Sequence, residues 1–360
     1  MKRAVLFSGD ILRLQARGGI TRYVIELVPR LEREARVIGG LHRSVEARVL
    51  GARLQRSLRV PDARGAMRLA APLNRVIDRG AFGGAGREIV HVTYYRDPAT
   101  IGRDRRVVLT VHDFAHERLG MDTARGPERW KAPLARRADA IVCYSEAARD
   151  DCIAMLGTAA ERVHVAPLAS RDWNAAPPRP LAGFEPRGPF LLWVGPRYAY
   201  KNFARSLEAW AVSAGRRGVD LLCVGGGALT ADELAPLAAH RPAGRLVQRA
   251  ADDAQLHWAY AQAAGLLYPS LCEGFGLPVV EAMSLGCPVV TSDRSSLPEV
   301  GGDAAHYADP EEVSSLAAAI ERMLDEPDVE ERARRLRQQA ACFSWTRCAE
   351  AHERVYEALD

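Results

Sequence analysis

Glu273-Gly274-Phe275-Gly276-Leu277-Pro278-Val279-Val280-Glu281 joins two carboxylates to a glycine turn and the start of a helix. The preceding Ala264-Gly265-Leu266-Leu267-Tyr268-Pro269-Ser270 predicts a short buried strand ending in a turn, and the residues after Pro278 predict a helix carrying Glu281, Ala282 and Met283. Proline in a first helical turn costs no hydrogen bond, because its missing N–H would have had no partner there. The turn before such a helix exposes backbone N–H groups and the positive end of the helix dipole, which suits an anionic or hydroxyl-rich ligand. Glu273 in the loop and Glu281 in the helix would then offer acceptor oxygens at two separated points. An ordinary helix start, with one capping acid and one exposed acid, fits the same letters.

The chain around this stretch has 360 residues, more than one ordinary core holds, so two domains are expected. With 48% hydrophobic and 26% charged residues it reads as globular rather than disordered. Seven cysteines without a Cys-x-x-Cys pair argue against a disulfide framework and a structural zinc site, and place the chain in a reducing cytoplasm. The apolar run after Met1-Lys2-Arg3 is too short for a signal peptide and reads as a first strand. No apolar stretch approaches the roughly 20 residues of a membrane span, so membrane contact is expected to be peripheral at most.

The net charge of +4 conceals an asymmetry: residues 1–175 hold 31 basic against 20 acidic side chains, net +11, and residues 176–360 hold 18 against 25, net −7. A basic first half suits anionic lipid headgroups or an acidic acceptor, although 46 of the 49 basic residues are arginine, which composition bias alone also produces. Nucleic acid is not expected as a partner, because no aromatic or helix-motif signature accompanies the charge.

Apolar runs alternate with helical stretches, as parallel sheets with crossover helices require. Strands are predicted at 4–7, 37–40, 89–92, 107–111, 140–143 and 163–166, then at 190–194, 220–224, 246–248, 264–268 and 288–291. The proline-dense Trp173-Asn174-Ala175-Ala176-Pro177-Pro178-Arg179-Pro180 reads as a break. The expected organisation is α/β: an N-terminal Rossmann-like domain over 1–172, a linker over 173–187, a second Rossmann-like domain over 188–344, and a helix over 345–360 that returns to the first domain. A cleft between two such domains is the natural ligand site.

Several loops at predicted strand ends carry reactive residue types. Gly18-Gly19, before the helical run Tyr23–Glu34, either approaches a phosphate or shapes a turn. Val111-His112-Asp113 puts an imidazole and a carboxylate at a sheet edge, as an acid–base group or as a structural histidine bonded to backbone; no nucleophile elbow completes a hydrolase triad. Ser145 looks like a helix cap. Gly195-Pro196-Arg197-Tyr198-Ala199-Tyr200-Lys201-Asn202 places two cations four residues apart, able to neutralise a diphosphate. Lys201 is one of three lysines among all those arginines, yet an exposed surface cation reads the same way. Gly225-Gly226-Gly227 either lets a ligand lie on backbone or is a flexible turn, and no Asp-x-Asp is present to hold a sugar-nucleotide metal. The arginine-rich stretch Arg43 to Arg79, with Leu50, Leu54, Leu58, Met67, Leu69 and Leu73, predicts basic amphipathic helices, placed against an anionic inner membrane or lining an acceptor cleft.

Together these motifs resemble the retaining GT-B glycosyltransferases of family four (glycosyl transferases group 1), on the Glu-x7-Glu string from Pro269 to Met283 continued by Gly286-Cys287-Pro288-Val289-Val290. Gly195 with Lys201-Asn202, Gly18-Gly19-Ile20 with Arg22-Tyr23, Val111-His112-Asp113, and Phe343-Ser344-Trp345 with Tyr356 support it. The resemblance covers nearly the whole chain and implies two Rossmann-like domains across a cleft. It implies that Glu273 and His112 contact the donor sugar, and that backbone at Gly274, Phe275, Gly276 and Leu277 holds sugar and phosphate. Glu281 would bind the ribose, and Gly195, Arg197 and Lys201 would grip the diphosphate, with Gly19 approaching it from the first domain. It further implies a nucleotide-sugar donor without a metal cofactor, GDP-mannose foremost, and a saccharide or lipid-linked acceptor, as in bacterial O-antigen and capsule mannosyltransferases. A nicotinamide oxidoreductase is disfavoured, since no full glycine fingerprint follows either domain's first strand.

Overall fold

The computed structural model describes every residue except Met1, Asp62 and Arg64. Among the described residues, thirteen strands form two wholly parallel sheets. The first holds β1 (Val5–Ser8), β2 (Ala35–His42), β3 (Leu54–Arg59), β4 (Ile89–Val92), β5 (Val107–Thr110), β6 (Ala140–Cys143) and β7 (Val163–Val165), in the order β3-β2-β1-β4-β5-β6-β7. The second holds β8 (Phe190–Val194), β9 (Asp220–Val224), β10 (Leu246–Arg249), β11 (Gly265–Tyr268), β12 (Val289–Ser292) and β13 (His306–Ala308), in the order β10-β9-β8-β11-β12-β13. The chain divides into two compact units, Met1–Leu168 with Ser344–Asp360, and Ala169–Phe343.

Sheets covered by helices on both faces need strands that are apolar without alternation. That is why runs such as Val107-Val108-Leu109-Thr110 and Phe190-Leu191-Leu192-Trp193 are almost wholly buried. Val90, Leu109, Ile141, Phe82 and Leu134 lie in the core of the first unit, and Trp193, Trp210, Leu221, Leu267 and Met323 in that of the second. In each sheet the strand order reverses beside the first strand, between β1 and β4 and between β8 and β11. Loops leaving the carboxyl ends of these neighbours diverge and leave a crevice where ligands bind in open α/β sheets.

Three sequence expectations change. The 54–59 part of the arginine-rich stretch is the edge strand β3, hidden from sequence by its polar Gln55-Arg56-Ser57; only 66–82 forms a long helix there. Asp62 and Arg64 of that stretch lie outside the described residues. The segment 173–187, read as a linker, is packed: Trp173, Leu181 and Phe184 are buried, Trp173 lies on His257 and Tyr260, and Phe184 meets Phe190 edge-on. Prolines break regular elements, but they do not prevent aromatic side chains from burying themselves. The short strand β13 carries too weak an apolar run to be read. All seven cysteines are thiols, and no helix among the described residues is long and apolar enough to cross a membrane.

The helix Trp345–Glu357 packs in the first unit through polar contacts inside an apolar interface. Its His352 donates from Nδ1 to the Cys348 carbonyl (2.7 Å), so Nε2 accepts from the Tyr23 hydroxyl (2.8 Å). Its Tyr356 hydroxyl meets His91 Nδ1 at 2.6 Å, and His91 Nε2 meets Thr110 Oγ1 at 2.7 Å. Glu353 accepts from Arg33 Nε at 2.7 Å and from the amides of Glu32 and Arg33. Every hydrogen bond at His352 is made by the neutral ring. Burial pushes His91 well below its ordinary value and His352 down to about 4.

A lowered imidazole pKa means that the folded chain binds fewer protons than the unfolded chain between about pH 6.5 and pH 4. Stability is therefore complete above that window and is lost as pH falls through it, at up to about 1.4 kcal/mol per pH unit for each imidazole. Denaturant unfolding followed from pH 7.5 down to about pH 4.5 should show this decline. His352→Gln should be less stable at neutral pH and show a shallower slope; an unchanged slope would refute the assignment.

Candidate nucleotide-sugar site

The neighbouring pair β8 and β11 decides which side chains meet. The loop after β8 runs from Gly195 to Lys201, and the loop after β11 from Pro269 to Gly276. Asn202, in a left-handed conformation (φ 61°), ties them together: its buried carboxamide donates to the Pro269 carbonyl (3.1 Å) and the Pro310 carbonyl (2.6 Å). The Leu271 amide also bonds the Tyr200 carbonyl.

These ties place the Lys201 ammonium 2.5 Å from Glu273 Oε1 and 2.6 Å from the Tyr268 hydroxyl, over the rings of Tyr200 and Tyr268. Burial, reinforced by the nearby Glu273 carboxylate, raises the Tyr268 hydroxyl well above its ordinary pKa, so it stays protonated at neutral pH. Two hydroxyls from the loop after β12 hold the Glu273 backbone. Ser295 Oγ accepts from the Glu273 amide (3.0 Å), and Ser296 Oγ donates to the carbonyls of Glu273 (3.0 Å) and Phe275 (2.9 Å). Gly276 caps the helix Leu277–Ser284 at φ 109°, and a Cβ there would stand 2.8 Å from Leu297 Cδ2, so glycine is required on both counts. The amides of Phe275, Gly276 and Leu277 carry no hydrogen bond among the described residues. Cation, carboxylate and open amides thus meet at one crevice of the sheet.

Glu281 lies within the helix Leu277–Ser284, as read from the sequence, and its carboxylate is already engaged. It is 5% exposed, with Oε1 2.7 Å from Arg171 Nε and Oε2 3.3 Å from the Tyr260 hydroxyl. Arg171 also reaches Asp253 at 2.6 Å and lies over Trp173. Burial opposes the charge on Arg171, but Glu281 and Asp253 more than offset it, and its pKa is raised. A ribose at Glu281 would be a third partner of a carboxylate already holding two.

Arg197 does not present a phosphate fork. Its Nε meets Glu233 at 2.6 Å, and its terminal nitrogens bond the carbonyls of Gly225, Gly226, Gly227 and Ala228. Gly226 has φ 73°, and a Cβ on it would strike the Arg197 guanidinium at 2.4 Å. The Gly225–Gly227 run is therefore a turn wrapped around an arginine. The guanidinium in turn holds Glu233 below the usual carboxylate range. Gly195 spends its amide on the Val224 carbonyl.

Two expected residues belong to the first unit. Gly19 opens the helix Gly19–Leu27, where a first-turn amide has no partner within the helix. His112 is buried with both ring nitrogens engaged: Nε2 donates to the Thr93 carbonyl (2.6 Å), and Nδ1 accepts from the Tyr144 hydroxyl (2.8 Å). Burial pushes its pKa down to about 4. It fits the structural reading of this histidine and leaves no nitrogen open to a substrate. Among the described residues no group of His, Cys, Asp or Glu gathers that could hold a metal ion. Sequence reasoning missed Tyr268, Arg171, Ser295 and Ser296 as site residues. For the serines a signal existed, since Ser296-Leu297-Pro298 repeats the Gly276-Leu277-Pro278 pattern of a helix start.

Two parallel-sheet Rossmann-like units, with a crevice of this kind at a switch point, define the GT-B class. The chain belongs to the GT-B glycosyltransferases: residues 17–169 match the model for Glycosyltransferase Family 4, and residues 188–326 the model for Glycosyl transferases group 1. It is 45% identical over 108 residues to O-antigen chain mannosyltransferase B of Escherichia coli, a match covering 30% of this chain and 28% of that one. It is 40% identical over 113 residues to the MMP alpha-(1->4)-mannosyltransferase of Mycolicibacterium hassiacum, covering 29% and 27%. These matches thus span less than a third of either relative's length. The fold also matches Anabaena HepE, solved in complex with UDP-glucose, with a TM-score of 0.69 at 18% identity over 99% of both chains.

Because Arg197 acts on its own unit, Arg197→Ala should remove the guanidinium from four carbonyls and Glu233, of which Gly225 keeps Gln248 and Glu233 keeps Thr230, and destabilise the second unit by about 2–4 kcal/mol. Lys201→Ala leaves the part-buried Glu273 without its counter-charge but strips no backbone carbonyl, and should cost less, about 1–2 kcal/mol. Equal unfolding midpoints for both variants and the parent would refute the distinction.

Proposed function

We propose that the chain transfers a hexose from a nucleoside diphosphate sugar to a saccharide or lipid-linked saccharide acceptor, in the cytoplasm, during cell-surface polysaccharide synthesis of the O-antigen type. The leading donor is GDP-mannose. The observation that carries the reading is the Lys201 ammonium resting on Glu273 beside the unpartnered amides of Phe275, Gly276 and Leu277. Without donor, cation and carboxylate neutralise each other. An arriving diphosphate competes for Lys201 and for the helix N-terminus, which frees Glu273 to accept hydrogen bonds from sugar hydroxyls. Charge then develops on the departing β-phosphate, where a fixed ammonium and oriented amides stabilise it more than they stabilise the bound donor, and that difference lowers the barrier.

Lys201 and the helix dipole take the charge-stabilising role in a metal-independent reaction. The departing phosphate oxygen accepts the acceptor hydroxyl's proton on the face from which it leaves, and the anomeric configuration is retained. With His112 and Arg197 occupied elsewhere, Lys201 and Glu273 carry the donor chemistry of this unit. Mannose is favoured by relatives named as mannosyltransferases. A UDP- or dTDP-sugar is the second reading, and the structural neighbour solved with UDP-glucose supports its uridine form.

Lys201→Ala should lower kcat by about 10²–10³-fold, and an unchanged rate at saturating donor would refute its phosphate role. Calorimetric titration with GDP, UDP, dTDP and ADP should show GDP binding tightest. Tighter UDP or dTDP binding would move the donor to the second reading, and no binding at about millimolar concentration would overturn the nucleotide-sugar assignment.

A further inference from the structure

We propose that the helix Ala66–Phe82 and the edge strand β3 form a docking face for the surface of a bilayer containing anionic phospholipids. The inward face of this helix is fully used by its own unit. Ala70, Asn74, Asp78 and Phe82, four residues apart, are all buried. Asn74 bonds both the amide and the carbonyl of Leu41, and Asp78 pairs with Arg13 and Arg96 at 2.8 Å each. Such anchoring fixes what the opposite face presents.

That face is apolar and uncovered. Leu69, Leu73 and Val76, at i, i+4 and i+7, are 86%, 51% and 65% exposed. On neighbouring β3, Leu58 is 64% exposed. Between strand and helix runs an open groove of about 530 Å³ whose lining includes Leu41, Leu58, Val76 and Ile77 together with Arg56 and Ser57. Four exposed large aliphatic residues on two adjacent elements are more than scattered surface hydrophobics.

Charge selects the occupant. Arg68, Arg75 and Arg79, at i, i+7 and i+11, form one flank of the apolar stripe, and Arg56 and Arg59 are exposed on β3. None of the five makes an ion pair among the described residues. The described acids between residues 41 and 82 are Glu46, which holds Arg22, and the buried Asp78. A second copy docked through the same face would set these arginines against one another. An aliphatic stripe flanked by arginine on one helix matches the bilayer interface, where leucines enter the acyl boundary and guanidinium groups meet phosphates. The proposal does not depend on the glycosyl-transfer reading, since no residue in it touches the nucleotide-sugar site.

Flotation of the full chain with vesicles of phosphatidylcholine, with and without phosphatidylglycerol, tests it. Binding should need phosphatidylglycerol and weaken as salt rises. It should fall by about tenfold or more in Arg68→Gln/Arg75→Gln/Arg79→Gln and again in Leu69→Ser/Leu73→Ser/Val76→Ser. Thermal unfolding checks that these exposed substitutions leave the fold intact, and Leu73→Trp supplies a second readout, a fluorescence blue shift on anionic vesicles only. Equal binding to neutral vesicles, no binding, or insensitivity to both triple variants would overturn the proposal. So would self-association in the ultracentrifuge that the leucine variant abolishes, which would assign the face to a second copy.

Discussion

The Lys201 ammonium, held between the Glu273 carboxylate and the Tyr268 hydroxyl, exists only because β8 and β11 are neighbours in the second sheet. An ammonium or a carboxylate this far from water, each side chain 11% exposed, carries a cost if it is left without a counter-charge. Each makes the other tolerable. The surrounding structure is arranged to preserve the contact: Asn202 binds the two loops, and Ser295 and Ser296 fix the backbone on either side of Glu273. The open amides at the helix start follow from the same arrangement, because hydroxyls from the third loop occupy the neighbouring backbone groups and leave these free.

Charged and titratable groups elsewhere show that residue type does not settle availability. Arg197 is a cation at a sheet edge like Lys201, yet four carbonyls and Glu233 saturate it. His112 also stands at a sheet edge, and a carbonyl and a tyrosine hydroxyl close both of its nitrogens. In each case the saturated group organises backbone: the Gly225–Ala228 turn in one unit and the strand ends around Thr93 and Tyr144 in the other. Glu281 falls between these extremes, anchored by Arg171 and Tyr260 with carboxylate lone pairs to spare.

The first unit uses buried imidazoles for a similar purpose. His91 and His352 let the C-terminal helix bring Tyr356 and Cys348 into a polar network that is satisfied without net charge. Neutral rings in that position make the packing of the helix sensitive to acid.

Much of the architecture was legible from residue order alone. Uninterrupted apolar runs announced the central strands of both sheets, and the Glu273-to-Glu281 string announced a strand, a glycine turn and a helix with its first turn open. These features are local, since periodicity, proline at a helix start and glycine at positive φ depend on near neighbours in the chain. Tertiary structure alone decided which polar groups remain available. Whether Lys201, Arg197 or His112 can meet a ligand depends on carbonyls and carboxylates tens of residues away, brought close by strand order, and no local pattern encodes them. The same holds for the polar strand β3 and the packed 173–187 segment, whose places were set by partners distant in sequence rather than by their own letters.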